Sequence, residues 1–281
     1  MVLESLKPSW MERKPMSMFW VGFLYSAIGI GLAWFVFGDY ASISGVFLTA
    51  MPLVVIMYRL LKFEERKDLR ICSERRLIEE HGKALSMFIF MFLGMVISYS
   101  LLFTILPQDV TEKIFSLQIN VIRSINLEAS GYFTNNTAAL TAIIINNLKV
   151  LFFSIFFSFL YCSGAVFILV LNASIIGVAV GSIIRNSISD YAGSSHMVFL
   201  YNYFKSFPLS FGYAVHGIPE ISAYFVGALA GGIISVAVVN HDFGNEEFRR
   251  IVLDSVDLLV ISVLLLILAG LLEVYVSPLL F

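Results

Sequence analysis

The stretch that decides the fold is residues 219–239, PEISAYFVGALAGGIISVAVV. After Glu220, its second residue, it runs for 19 residues without a charged side chain. A helix rises about 1.5 Å per residue, so about 20 apolar residues cross a hydrocarbon core of about 30 Å. We therefore interpret this stretch as a transmembrane helix.

Similar apolar runs recur along the chain and are separated by charged or Gly/Pro-containing breaks. They cover residues 17–37, 42–61, 84–106, 137–161, 164–184 and 257–276. Hydrophobic residues make up 59% of the 281 residues and charged residues only 14%, which leaves no long polar stretch for a separate soluble domain. The sequence therefore predicts an all-α polytopic transmembrane helix bundle of about seven spans.

Within this single membrane domain, charge separates two parts. Residues 1–83 form a predicted two-helix hairpin, whose loop, residues 59–83, is rich in charges of both signs. Residues 84–281 form a predicted five-span core. The charged loop predicts a helical extension of the hairpin on the cytoplasmic side.

Two segments between spans have a different character. Residues 107–136 carry apolar side chains near helical spacing at Ile114, Leu117, Val121 and Ile125. This pattern predicts an interfacial amphipathic helix. The aromatic residues 197–213 predict an interfacial or re-entrant segment.

The distribution of Lys and Arg predicts the orientation in the cell membrane. With seven spans and a cytoplasmic N-terminus, the cytoplasmic side receives Lys7, Arg13, Lys14, the cluster in residues 59–83, Arg249 and Arg250. The outside receives Lys113, Arg123, Arg185 and Lys205, and this imbalance agrees with the positive-inside rule. In an alternative with six spans, residues 148–171 form one helix followed by a re-entrant piece. This alternative leaves the number of Lys and Arg residues on each side of the membrane unchanged.

Small residues repeat every four positions in two spans. They are Ala223, Gly227, Gly231 and Ser235 in the sixth span, and Ala173, Gly177 and Gly181 in the fifth. Such a flat helix face lets backbones approach closely in lipid. We expect internal helix packing, and the alternative is a homodimer formed through one of these faces.

Polar residues also occur inside the spans. Asn146, Asn147 and Lys149 lie near the middle of the fourth span, and Asn172 lies in the fifth. An ionised lysine in mid-bilayer is costly and normally faces protein or water. The functional interpretation is a polar pathway or binding site. The alternative is hydrogen bonding between helices, with Lys149 reaching to the interface.

The motif His216-Gly217-Ile218-Pro219-Glu220 has the strongest character of a site. Pro219 suits the first turn of a helix and Glu220 the positive end of its dipole, which places His216 just outside the helix. We expect His216 and Glu220 to join the asparagines in one polar cluster near the outer half of the membrane, because buried polar groups need partners. A structural cap, a ligand or partner site, and a catalytic or metal site remain open, and we expect no bound metal.

Recognisable catalytic and cofactor motifs are missing. The sequence has no Walker or dinucleotide-binding glycine pattern, no Gly-x-Ser-x-Gly and no His-Glu-x-x-His. Cys72 and Cys162 lie in different settings, so no disulfide and no metal-binding pair are expected. We therefore expect no catalytic residue, cofactor or metal, and nothing points to nucleic-acid binding.

Three motifs in order resemble a known family. These are residues 145–150 (INNLKV), Leu171-Asn172 followed by Gly177, and the His216 motif with its Gly-rich helix. Across residues 137–239 the chain resembles the stage II sporulation protein M family, although Ala173 stands where the family often has Gly. The sporulation member of that family works with peptidoglycan-degrading partners during engulfment and resembles a membrane scaffold that holds them. For this chain the resemblance implies an integral membrane protein with a candidate core site of Asn146, Asn147, Asn172, His216 and Glu220, to which it assigns no chemistry.

These observations predict a non-enzymatic scaffold or anchor for partner proteins in the cell membrane, with the lipid bilayer as its surroundings. The first alternative is a small-solute or ion transporter or channel that uses the in-span asparagines and Lys149. The second alternative is an intramembrane hydrolase that uses His216 and Glu220.

Overall fold

The computed structural model describes residues 14–70, 74–132, 136–161, 165–189, 196–240 and 245–277. These residues are almost entirely helical, which confirms the all-α prediction. The helices are α1 (Pro15–Phe37), α2 (Ala41–Arg70), α3 (Glu74–Ile105), α4 (Gln108–Ile114), α5 (Ser116–Tyr132), α6 (Asn136–Tyr161), α7 (Ala165–Ser189), α8 (His196–Asn240) and α9 (Glu246–Tyr275), with a 3₁₀ turn at Gly38–Tyr40 between α1 and α2.

Six stretches of the described chain are long and apolar enough to cross a membrane, and the first, Pro15–Glu64, contains both α1 and α2. These two helices run antiparallel, because Gly29 lies against Thr49 and Gly45 lies against Ile30. The chain reverses at Gly38, whose φ of 50° is a conformation that glycine adopts without steric cost. Together with the other five stretches, this hairpin makes seven long apolar helices in the described residues.

The ends of the helices define two ends of the bundle. We call distal the end that holds the 3₁₀ turn, α4 and the C-termini of α3, α7 and α9. Lys113 of α4 lies 3.8 Å from Asp39 in the turn, and Gly270 of α9 lies against Ile144 and Leu140 near the start of α6. The opposite, proximal end holds Lys14 and the junction of α2 and α3.

Two expectations about the later helices differ from the structure. Helix α8 runs without a break from His196 to Asn240, so residues 197–213 are helical and His216 lies inside a helix instead of before one. A proline such as Pro219 is tolerated in a long buried helix because neighbouring groups can satisfy the carbonyl that it frees. Helices α6 and α7 are two helices packed side by side, which does not fit the single helix over residues 148–171 of the six-span alternative.

Helix α8 is the centre of the bundle. All twelve residues from 222 to 233 are buried, and α8 packs against α6, α7 and α9 as well as α2 and α3. A helix that is apolar and buried on every side belongs in the interior of a protein. This glycine-containing helix is therefore the one against which five of the other helices pack.

The amphipathic segment is anchored in the bundle by its centre. Phe115, between α4 and α5, is fully buried and contacts the rings of Tyr99 and Phe103, with ring centroids 6.4 and 5.7 Å away. Gln118 in the first turn of α5 is also fully buried. Aromatic contact and burial hold this part of the segment inside the distal end.

Candidate functional site

A polar cluster lies between α8 and α9 toward the distal end. His216 Nδ1 is 2.8 Å from Ser277 Oγ, and the Tyr224 hydroxyl donates a 2.7 Å hydrogen bond to Glu220 Oε1. Glu273 of α9 lies in the neighbourhood of Glu220 and Tyr224. Because residues four apart share a helix face, α8 contributes three of these side chains, α9 contributes Glu273, and Ser277 lies just beyond the end of α9.

The chemistry of this α8–α9 cluster is that of groups that bind and release protons. Two carboxyl groups, a phenol and an imidazole lie within apolar helices, where carboxyl groups are costly and usually paired with hydrogen-bond donors. Ser277 Oγ also lies 3.2 Å from the Leu272 carbonyl oxygen, so its proton has a backbone acceptor. Among the described residues no group of three His, Cys, Asp or Glu side chains is arranged to hold a metal ion.

The in-span asparagines use partners other than this cluster. Asn172 Nδ2 donates a 2.9 Å hydrogen bond to the Ile168 carbonyl oxygen of its own helix. Asn147 is buried, and Asn146 Nδ2 approaches its Oδ1 at 3.4 Å, which is long for a hydrogen bond. The hydrogen bonds of the asparagines are therefore local, whereas His216 and Glu220 bond within the α8–α9 cluster.

Asn146 and Lys149, three residues apart, share a face of α6, and Lys149 lies opposite Asn147. Both are exposed, whereas Asn147 shares a face with Leu151, which lies against Gly227 of α8. Lys149 makes no hydrogen bond or ion pair with the described residues of the chain. The three polar residues of this predicted group therefore divide between the interior and the surface.

The predicted packing glycines lie at contacts between helices. A Cβ atom on Gly231 would lie 2.7 Å from the Ile155 carbonyl oxygen of α6, and one on Gly227 would lie 2.5 Å from Leu151 Cδ1. Gly177 and Gly181 of α7 lie in the same way against Tyr99 and Ser100 of α3. Contacts within one chain therefore occupy both small-residue faces, and neither is open for a homodimer.

Arg185 has a structural role that the sequence did not predict. In the sequence this residue served only as one of the positive charges on the outside. Its guanidinium group donates to the carbonyl oxygens of Phe103 and Leu106 at the end of α3, and to Thr111 Oγ1 of α4 at 3.0 Å. The last carbonyls of a helix have no partner inside the helix, and here Pro107 follows directly. Arg185 thus caps α3 from α7, and a lone arginine at the end of a span was the available signal.

A second missed feature is a hydrogen-bond chain through Gln118. Ser42 Oγ donates to Gln118 Oε1 at 2.9 Å, and Gln118 Nε2 donates to Ser174 Oγ at 3.0 Å. These three buried residues come from α2, α5 and α7. A glutamine in an amphipathic helix normally faces water, so the sequence offered no signal for these hydrogen bonds.

The fold and these buried contacts define the class of the protein: a polytopic membrane protein whose apolar helices pack around one central helix. Comparison with known proteins then defines the family. Residues 84–278 match the family Stage II sporulation protein M, which is more than half of the chain, and the chain belongs to that family. Helices α1 and α2 precede the matched region.

A known protein also matches part of the chain. An uncharacterized protein of Methanocaldococcus jannaschii is 29% identical over 187 residues, which is 62% of this chain and 94% of that protein. No solved structure matches the chain.

Proposed function

We propose that this protein is a non-enzymatic scaffold that holds partner proteins at the cell membrane. The observation that carries the proposal is the packing around α8, where residues 222–233 are buried and glycines lie against the backbones of neighbouring helices. Close contact of this kind suits a rigid platform. A transport path needs polar groups and room for a solute, and the centre of α8 offers apolar side chains in close contact.

Hydrogen bonds between helices support the same role. Ser158 Oγ of α6 donates to the Ala228 carbonyl oxygen of α8 at 2.6 Å, and Gln118 joins α2 to α7. Side chains used in this way stabilise one arrangement of the helices. A scaffold benefits from one rigid arrangement, because it presents partners at constant positions.

The proposed orientation places the N-terminus and the proximal end in the cytoplasm. The charged junction of α2 and α3 lies at that end, and its lysines and arginines support this orientation. The distal end, with α4 and α5, would then face outward.

The scaffold role is tested in the native host by photo-crosslinking from the full chain. A photoreactive amino acid replaces exposed Arg66 at the proximal end or exposed Asp109 at the distal end. We expect a defined protein to crosslink from at least one position and to lose its normal distribution in the membrane when the gene is deleted. If no crosslinked protein changes its distribution in the deletion strain, the scaffold role is wrong.

A second candidate function is proton-linked transport, which the α8–α9 cluster favours. Ionisable residues inside spans commonly mark proton or ion pathways, and Glu220, Tyr224 and Glu273 form such a group. Purified chain in liposomes with a pH-sensitive dye inside tests this candidate. Proton flux that is present in the wild type and lost in Glu220→Gln, with unchanged thermal stability, would favour transport over the scaffold role.

The same geometry gives the hydrolase alternative less support. His216 and Ser277 are within hydrogen-bond distance, but Ser277 is buried and its hydroxyl has the Leu272 carbonyl oxygen as an acceptor. A serine nucleophile needs access to substrate and a base that takes its proton. We therefore propose no catalytic role for this pair.

A further inference from the structure

Helix α6 carries a charged residue where a lipid-facing helix should carry none. Lys149 lies 9 residues from one end and 11 residues from the other end of the apolar stretch Leu140–Leu160. At about 1.5 Å per residue these distances are about 13 and 16 Å, both beyond the length of the four-carbon lysine stem. An ammonium group at this depth is costly unless it has a partner.

This lysine points away from the bundle. On α6, buried Asn147, Leu151, Ser154 and Ser158 share one side, and Lys149 lies on the opposite side with Asn146, Phe152, Phe153 and Phe156, all of which are exposed. We call these five exposed residues the α6 face. Helix α6 is also the least buried of the membrane-spanning stretches. Within its apolar 18-residue segment, 22% is buried inside the bundle, against 78% for the corresponding segment of α8.

The rest of the α6 face offers a neighbouring helix both aromatic and polar contacts. Phe152 stacks on Phe156 with ring centroids 5.9 Å apart, which forms an ordered aromatic surface beside the ammonium group. Asn146 lies about one turn away and has an amide that can bond across helices. Lys149 has no acceptor among the described residues of the chain.

We propose that the α6 face is the docking surface for a single transmembrane helix of a partner protein that carries an Asp or Glu in the middle of its apolar run. A carboxylate at that depth would pair with Lys149, and each charge would lower the cost of the other in hydrocarbon. This inference rests on the proposed scaffold function and names the kind of partner that the scaffold holds.

A second copy of this chain fits the face less well. A two-fold axis along α6 would bring two Lys149 ammonium groups together, which is repulsive. Exposed Asp257 on the neighbouring antiparallel α9 is at the wrong depth to pair with Lys149 of a second copy. Gly270 of α9 and Ile144 of α6 are in contact and so mark the same depth. Asp257 lies 13 residues from Gly270, whereas Lys149 lies only 5 residues from Ile144. The difference of 8 residues is about 12 Å along the helix axis.

The test uses the full chain in liposomes and two synthetic peptides of about 20 alternating Leu and Ala residues, which is long enough to span. One peptide has a single Glu at its centre and the other has Gln. Energy transfer between labelled chain and labelled peptide measures association. We expect the Glu peptide to associate about tenfold more tightly than the Gln peptide, as an interhelical bond of about 1.4 kcal/mol would give.

Two variants test whether the selectivity between peptides depends on the charge of residue 149. Lys149→Met should bind both peptides equally and weakly, and Lys149→Glu should prefer a third peptide of the same design that has Lys at its centre. Lys113→Met, a change of the same kind at an exposed lysine outside the spans, should behave as the wild type. Thermal unfolding of each variant checks that the fold is retained.

Equal binding of the Glu and Gln peptides to the wild type, or unchanged selectivity in Lys149→Met, would refute the docking surface. Disulfide-linked dimers of a Phe153→Cys variant, formed whether or not peptide is present, would also refute it in favour of a second copy. A chain that positions partners in cells but does not discriminate between the peptides refutes this surface and leaves the scaffold role standing. A chain that discriminates between the peptides but positions no protein in cells refutes the scaffold role alone.

Discussion

His81 Nδ1 lies 2.8 Å from Glu64 Oε2, and both side chains are buried at the proximal end. The pair joins α2 to α3, so it attaches the N-terminal hairpin to the helix that leads into the family region. Removing either member of a buried, hydrogen-bonded pair of ionisable side chains is costly, since the remaining side chain loses this partner in the interior. The attachment of the hairpin should therefore be sensitive to either residue.

Glu64→Ala should lower the free energy of unfolding by about 3 kcal/mol, because it leaves the buried imidazole without this acceptor. Glu64→Gln should cost less, since the amide oxygen can still accept from Nδ1–H. Chemical unfolding in mixed micelles is the measurement. Glu246→Ala, at a side chain 92% exposed, is the control and should change stability by less than about 0.5 kcal/mol. Equal effects at the two sites would contradict the role of the buried pair.

Gly22→Ala and Gly31→Ala should change the stability of the protein in opposite directions, although each replaces one glycine of α1. A Cβ atom on Gly22 would overlap with the Met91 carbonyl oxygen, so α1 would have to move away from α3. A Cβ atom on Gly31 meets nothing within 4 Å, and replacing a helical glycine with alanine stabilises by up to about 1 kcal/mol. Melting temperatures in detergent should fall for the first variant and stay or rise for the second. A rise for both would mean that the hairpin does not contact α3 in this way.

Gly231→Ala should destabilise the protein more than Gly227→Ala. The first variant meets backbone, the Ile155 carbonyl oxygen, whereas the second meets Leu151 Cδ1, the end of a side chain that can rotate. Leucine at either position should be worse, because α6 would be forced off α8 with the loss of many contacts. Leu264→Ala on the exposed side of α9 is the control, and it should cost less than any of these changes in a thermal unfolding series. A midpoint near the wild-type value for both leucine variants would place this face toward lipid.

Arg185→Met should lower stability by about 2–3 kcal/mol, since it removes charge-assisted bonds to the last carbonyls of α3. Arg185→Lys should recover part of the loss. Its single ammonium group keeps the charge but cannot reach Phe103, Leu106 and Thr111 with one planar fork. Arg123→Met, at an exposed arginine of α5, serves as the matched control in the same denaturation assay. If methionine and lysine behave alike at position 185, the capping interpretation is wrong.

The orientation is tested with introduced cysteines in a background where Cys72 and Cys162 are serine. Cysteines at Asp109 and Asn245 lie at exposed positions on opposite ends of the bundle. Because the positive charge is concentrated at the proximal end, an impermeant maleimide added to intact cells should label position 109 and leave position 245 unlabelled. Labelling of position 245 but not position 109 would reverse the proposed orientation.

Much of the fold was accessible from the sequence because it depends on local properties. Length and hydrophobicity of each run predict a spanning helix, and Gly at every fourth residue predicts close approach of some neighbour. The identity of that neighbour is not local: Gly227 and Gly231 lie against α6, whereas Gly177 lies against α3. The start of α8 was misplaced for a related reason, since Pro219 is a strong local signal for a helix start that surrounding helices overrode.

The sequence by itself determined the class of protein, the family and the set of polar residues that the membrane makes costly. The tertiary structure alone decided which of those residues meet. It paired His216 with Ser277 and Glu220 with Tyr224, kept Asn172 on its own helix, and turned Asn147 inward while Lys149 points outward. The physical reason is that hydrophobicity is a sum over one segment, whereas a hydrogen bond between helices depends on their relative rotation and depth, which packing of the whole bundle sets.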